Sequence, residues 1–112
     1  MPTARIDARI RVNLPVVLAD DTVHGETTDL SVTGMRIQIP EPASLSERTD
    51  FRLLLPTGHV VQGECRVLHR YGSGHWGVVF SHVPPLDIAH LRLYLYELLG
   101  RELYAEAASW RR

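Results

Sequence analysis

The chain has 112 residues, 45% of them hydrophobic, and a formal net charge of −1. That suits one domain with a single core; it lacks the run of roughly 18 to 20 apolar residues that a membrane span needs and the overall positive charge of a nucleic-acid coat. The start has no apolar signal-like stretch, so the expected location is the cytoplasm.

Residues 1–9 read as an extended arm carrying Arg5 and Arg9, with Arg11 just beyond. Ile10, Val12, Leu14, Val16 and Leu18 then alternate with other residues, a strand pattern. Pro15 inside it points to an edge or a bulge. Asp20-Asp21 is a turn, and Gly25–Leu30 is a second, more polar strand. Met35, Ile37 and Ile39 mark a third strand, stopped by Pro40 and Pro42. Ala43–Thr49 is an irregular connection in which Ser44 and Glu47, at capping-box spacing, suggest a short helical turn. Phe51–Leu55 is a strand and Pro56-Thr57-Gly58 a turn. Val60–Tyr71 is the longest strand, with Gly63 marking a bulge or tight curvature. Cys65 within it is the only cysteine, which reads as a small buried hydrophobe. Gly72-Ser73-Gly74 turns the chain into a last strand, His75–Ser81.

After Pro84-Pro85 the period changes. Leu91, Leu95, Leu98, Leu99 and Leu103 recur at helical spacing, which predicts a helix over 86–108. Asp87 sits near its start, where a carboxylate suits the helix dipole, and Gly100 is a point where the helix can loosen. The sum is an all-β domain: a six-stranded antiparallel barrel over 10–81, closed so that no sheet edge is left open, with a C-terminal α-helix.

Two short patterns carry the chemistry. Arg5 and Arg9 offer paired planar cations, and all twelve basic residues of the chain are arginine, whose rigid donor fork suits phosphates and base edges. An arm of this kind lies over a barrel face only when its charge is neutralised, for which a phosphodiester is suited. Asp29, Ser31 and Gly34 lie in a polar corner between two strands. The carboxylate can accept the two N–H donors of a guanine edge, the hydroxyl can rotate, and the glycine permits positive φ or close backbone approach. A plain Asx or Ser/Thr turn explains the same residues without a ligand. Arg11, Arg36, Arg66 and Trp76 are further candidates. The histidines at 24, 59, 69, 75, 82 and 90 show no zinc-site spacing, so no metal is expected.

Arg5-x-x-x-Arg9, the strand through Leu14-Pro15-Val16, Asp29-x-Ser31-x-x-Gly34 running into Met35-Arg36-Ile37, and Trp76-Gly77-Val78-Val79-Phe80 together resemble the PilZ domain over about residues 5 to 100. The resemblance implies a six-stranded barrel with a terminal helix, in a bacterial receptor for the second messenger cyclic di-GMP. It assigns the phosphate grip and guanine stacking to Arg5 and Arg9, and the guanine edge to Asp29, Ser31 and Gly34. In that family the residue before the first arginine influences whether one or two ligand molecules enter. Here it is Ala4, not the frequent arginine or leucine, which leaves the number open.

The resemblance further implies a protein that signals by binding, without catalysis or cofactor, and hands the signal to a protein effector. A homodimer through the C-terminal helix is a candidate arrangement, with Tyr94, Tyr96, Leu99 and Tyr104 as its surface. The alternative is a PilZ-fold adaptor that binds protein and not nucleotide. Single-stranded nucleic acid wants a basic groove with exposed aromatics, which the balanced charge does not supply, so no DNA or RNA partner is expected. No nucleophile, base and orienting group can be assembled from His24, Glu26 and Asp29.

Overall fold

In a computed structural model, which describes residues 9–110, six strands and one helix follow the chain in the order read from its periodicity. They are β1 (Pro15–Leu18), β2 (Val23–Leu30), β3 (Gly34–Gln38), β4 (Arg48–Leu54), β5 (Val60–Gly72), β6 (His75–His82) and α1 (Pro85–Trp110). All neighbours are antiparallel, and the sheet closes in the order β1-β2-β3-β6-β5-β4, with β4 returning to β1. Arg5 and the rest of the arm through residue 8 lie outside the described residues.

Strand alternation builds the core. Val16 and Leu18 of β1, Met35 and Ile37 of β3, Phe51 and Leu53 of β4, and Val61 and Cys65 of β5 all point inward and are buried. Phe51 stacks on Phe80 across the interior, with ring centroids 5.1 Å apart. Ile39 and Leu45 are buried in the β3–β4 connection. That connection forms no helical turn at Ser44–Glu47. The capping-box spacing has no following amphipathic run to nucleate, since β4 begins at Arg48.

The first strand also departs from the expected Ile10–Leu18. Ile10 and Leu30 exchange two backbone hydrogen bonds at 2.9 Å, an isolated bridge, and regular pairing starts only at Pro15. Proline cannot donate to the ladder, and β2 shifts register between Thr27 and Asp29. Residues 10–14 therefore form a strap laid across β2. Thr27, fully buried, holds it: its Oγ1 donates to the Val12 carbonyl and accepts from Leu14 N at 2.9 Å, and Asn13 Nδ2 donates to the Thr27 carbonyl at 2.8 Å. The period-two burial of Ile10, Leu14, Val16 and Leu18 survives, although half of it belongs to the strap.

β5 shifts register against β6 between Glu64 and Cys65, one residue past Gly63. The helix runs unbroken through Gly100. Its first turn is anchored by more than its dipole: Asp87 Oδ1 lies 2.7 Å from His59 Nε2, and Oδ2 accepts from Gln62 N at 3.2 Å. His59 in turn stacks on His90, centroids 3.7 Å apart. Of the residues expected on a docking surface, Tyr94 is instead buried against the barrel and Leu99 partly so, because both fall on the helix flank that leans on the core. Tyr96 is exposed, and the Tyr104 side chain lies outside the described residues. Among the described residues no helix is long and apolar enough to cross a membrane.

Candidate ligand-binding cleft

The strap and the β2–β3 corner meet at a polar cleft of about 440 Å³ lined by Arg11, Val12, Asn13, Thr28, Asp29 and Arg36. The two sequence patterns come together here. Arg9 Nη1 lies 2.6 Å from Asp29 Oδ1, and Arg36 Nε lies 3.7 Å from Asp29 Oδ2. Arg36 is the β3 residue in register with Asp29, so sheet pairing alone puts a guanidinium beside that carboxylate. Arg9 is placed by the Ile10–Leu30 bridge next to it. With Arg11 also lining the cleft, three arginines against the one carboxylate of Asp29 leave it cationic, suited to an anion that also carries N–H donors for Asp29. Both arginines of the pairs are about half exposed, so each pair is a weak, exchangeable contact worth at most about 1 kcal/mol.

Ser31 and Gly34 shape the corner instead of facing the cleft. Ser31 is fully buried, and its Oγ accepts from Thr33 N and Gly34 N, each at 3.2 Å, which is a Ser/Thr turn. Gly34 has no positive φ. A Cβ there would collide with the Val78 carbonyl of β6, so the close approach it permits is strand to strand. Arg66 is not brought to the cleft: the β5 residue on the rung of Asp29, Arg36 and Gly77 is His69, and Arg66 faces Arg48 and Val79. Trp76 is buried in the core and touches the cleft region only through a neighbouring hollow.

That hollow, about 390 Å³, is lined by Thr28, Arg36, Ile37, Tyr71, His75 and Trp76, so Thr28 and Arg36 form its common wall with the first. Tyr71 was not singled out by sequence. It is half exposed, and its ring packs over Gly77, where a Cβ would come within 3.1 Å of it. The Arg36 guanidinium lies 4.8 Å from the ring centroid. The signal that could have found it is the glycine preceding the Val78-Val79-Phe80 run, a gap in β6 that a neighbouring aromatic can fill. Asn13, Thr27 and Thr28 were also missed, because polar residues in short strands carry no period of their own. Among the described residues, no group of three His, Cys, Asp or Glu side chains could hold a metal ion.

A family model of the PilZ domain matches residues 3–97. No curated protein matches the chain. Among solved structures, the Bacillus subtilis inhibitor of motility (MotI/DgrA) superposes with a TM-score of 0.75 at 14% identity, over 88% of this chain and 53% of its own. The chain thus spans about half the length of that protein, and at that identity the likeness is one of fold. The PilZ domain of CeSA, from a cellulose-synthesizing bacterium, superposes with a TM-score of 0.60 at 28% identity, over 80% of this chain and 98% of its own. The family match runs from before the strap into the helix, across every strand that builds the cleft, and the chain belongs to the PilZ domain family.

Proposed function

We propose that this PilZ domain is a cytoplasmic bacterial receptor for cyclic di-GMP that relays ligand binding to a protein partner. The observation that carries the reading is the meeting of Arg9 and Asp29 at the rim of a cationic cleft. Unliganded, the two satisfy each other. A guanine edge offers Asp29 two N–H donors in place of one guanidinium, and the released Arg9 is free to grip a phosphate with Arg11 beside it. Arg5 is proposed to join them from the arm. Arg36 over Tyr71 supplies a flat cationic face for a base. Ser31 and Gly34 act by holding the corner rigid. Ligand gripped by Arg5 and Arg9 would change the surface a partner sees. The role asks for binding and no bond-making.

A second reading, a PilZ adaptor that engages protein without nucleotide, draws on the same geometry. Asp29 is already paired and the Ser31 hydroxyl is already spent within its turn, so the corner is complete without a ligand.

Isothermal titration with cyclic di-GMP separates the two and counts whether one or two molecules enter. Under the receptor reading the wild type binds and Arg9→Ala weakens binding by about ten- to a hundredfold, the equivalent of one charge-assisted contact of roughly 1.5 to 3 kcal/mol. Asp29→Ala reduces the preference over the adenine analogue. A wild type that gives no binding heat and protects no cleft residue rejects the receptor reading in favour of the adaptor.

A further inference from the structure

We infer that the outer face of α1 is a helix-pairing surface for a second copy of this chain, with the two helices parallel. The barrel side of α1 carries Asp87, Leu91, Tyr94 and Leu95, all buried. On the opposite side, Leu86 and Leu93 are each 67% exposed and Tyr96 is 46% exposed, with Ala89 and Gly100 also exposed between and beyond them. These five positions are spaced three, four, three and four apart, which is the a and d seam of a heptad repeat. At about 3.6 residues per turn the seam lies diametrically across the helix from Leu91. A helix that needs only one partner shows polar residues there; this one shows two leucines and a tyrosine.

Three observations name the occupant. The seam is self-matching, since a heptad stripe meets its own copy under two-fold symmetry. Charge then selects the direction. Arg92 and Glu97, both exposed, flank the seam on opposite sides and are five residues apart. In a parallel pair that spacing sets each Arg92 against the partner's Glu97, whereas an antiparallel pair centred on Leu93 sets Arg92 against Arg92. Glu97 is steadied for this by Arg101, 3.1 Å away on the next turn. Finally, the area is of the right order. Leu86, Leu93 and Tyr96 leave roughly 300 Å² of apolar surface per chain, the size of the largest patch on an ordinary monomer, which is often functional. Two such faces with their flanking charges come toward the roughly 1,000 Å² that a specific interface requires.

The helix has room for more of the seam. It is 26 residues long, about 39 Å at about 1.5 Å per residue, in a molecule of 48 × 30 × 30 Å. Gly100, Arg101 and Ala105 are exposed past Leu95, the last buried position among the described side chains.

The test is made on the full chain without nucleotide, so its failure is separate from that of the receptor reading. Sedimentation velocity over a concentration series should show a reversible dimer. Leu93→Glu, at an exposed position, should abolish the dimer and melt where the dilute, monomeric wild type melts, since pairing would bury two carboxylates without partners. Arg92→Glu should weaken it, and Arg92→Glu combined with Glu97→Arg should restore it. Ala89→Cys should give a covalent dimer on mild oxidation, because parallel helices bring the two copies of that position together. A wild type that stays monomeric at the highest soluble concentration, or a dimer that Leu93→Glu leaves intact, overturns the proposal. A dimer without the Ala89→Cys cross-link overturns its parallel direction.

Discussion

Thr27→Val tests whether the strap that carries Arg9 and Arg11 is held by one hydroxyl. The substitution keeps the shape and the branching at Cβ, so the packing of this buried position is preserved. It removes the group that donates to the Val12 carbonyl and accepts from Leu14 N. Leu14 is buried, so its N–H is left without water; Val12 is half-buried, so its carbonyl recovers part of its solvation. A buried polar group left unpaired costs about 1 to 3 kcal/mol, which puts the pair near about 2 to 4 kcal/mol. A chain of this size loses about 4 °C of melting temperature per kcal/mol, so the midpoint should fall by about 8 to 16 °C in calorimetry. Thr27→Ser, which keeps the hydroxyl, should lose less than half of that. Cyclic di-GMP affinity should fall with Thr27→Val, because the strap no longer seats Arg9 beside Asp29. If Thr27→Val melts within about 2 °C of wild type while Thr27→Ser melts lower, the methyl and not the hydroxyl secures the strap, and the reasoning fails.

Gly34→Ala should destabilise the domain by about 1 to 3 kcal/mol, since the new Cβ meets the Val78 carbonyl; a chemical-denaturation midpoint equal to wild type would mean that β3 and β6 separate at little cost. Cys65 is buried, and burial, with Asp50 and Glu64 adding to it, pushes its thiol from 9.0 up to about 12. It should resist alkylation in the native state and react on unfolding; rapid native labelling at neutral pH would contradict its burial. The sign of the linkage follows from the raised value: the thiol's contribution to stability is complete below about pH 9 and is lost as pH rises toward about 12, a fall that Cys65→Ala should flatten in melts across that range.

The periodicities settled which elements exist and their order. Alternation at Val16 and Leu18, at Met35 and Ile37, and at Phe51 and Leu53 is a local property, readable wherever one face of a strand is buried. The helix was equally legible from its leucines, though Gly100 was too weak a breaker to interrupt it. The strap was not legible, because Ile10 to Leu14 keeps the strand period while Val12 and Leu14 bond a threonine side chain of β2 in place of a regular ladder. Nor was the short helical turn at Ser44–Glu47 excluded by sequence, since capping spacing alone does not say whether a helix follows.

For the cleft the division is similar. The chain itself supplies Arg9, Asp29 and Arg36 as chemistry and the corner at Ser31 as a turn, since residue type and short-range spacing are properties of the chain. Which of these residues face one another was decided by barrel closure. Pairing β2 with β3 sets Arg36 beside Asp29, and pairing β3 with β6 and β6 with β5 brings Tyr71 over Gly77 while leaving Arg66 on a different rung. Strand register is a long-range agreement between segments tens of residues apart, and only the folded barrel enforces it.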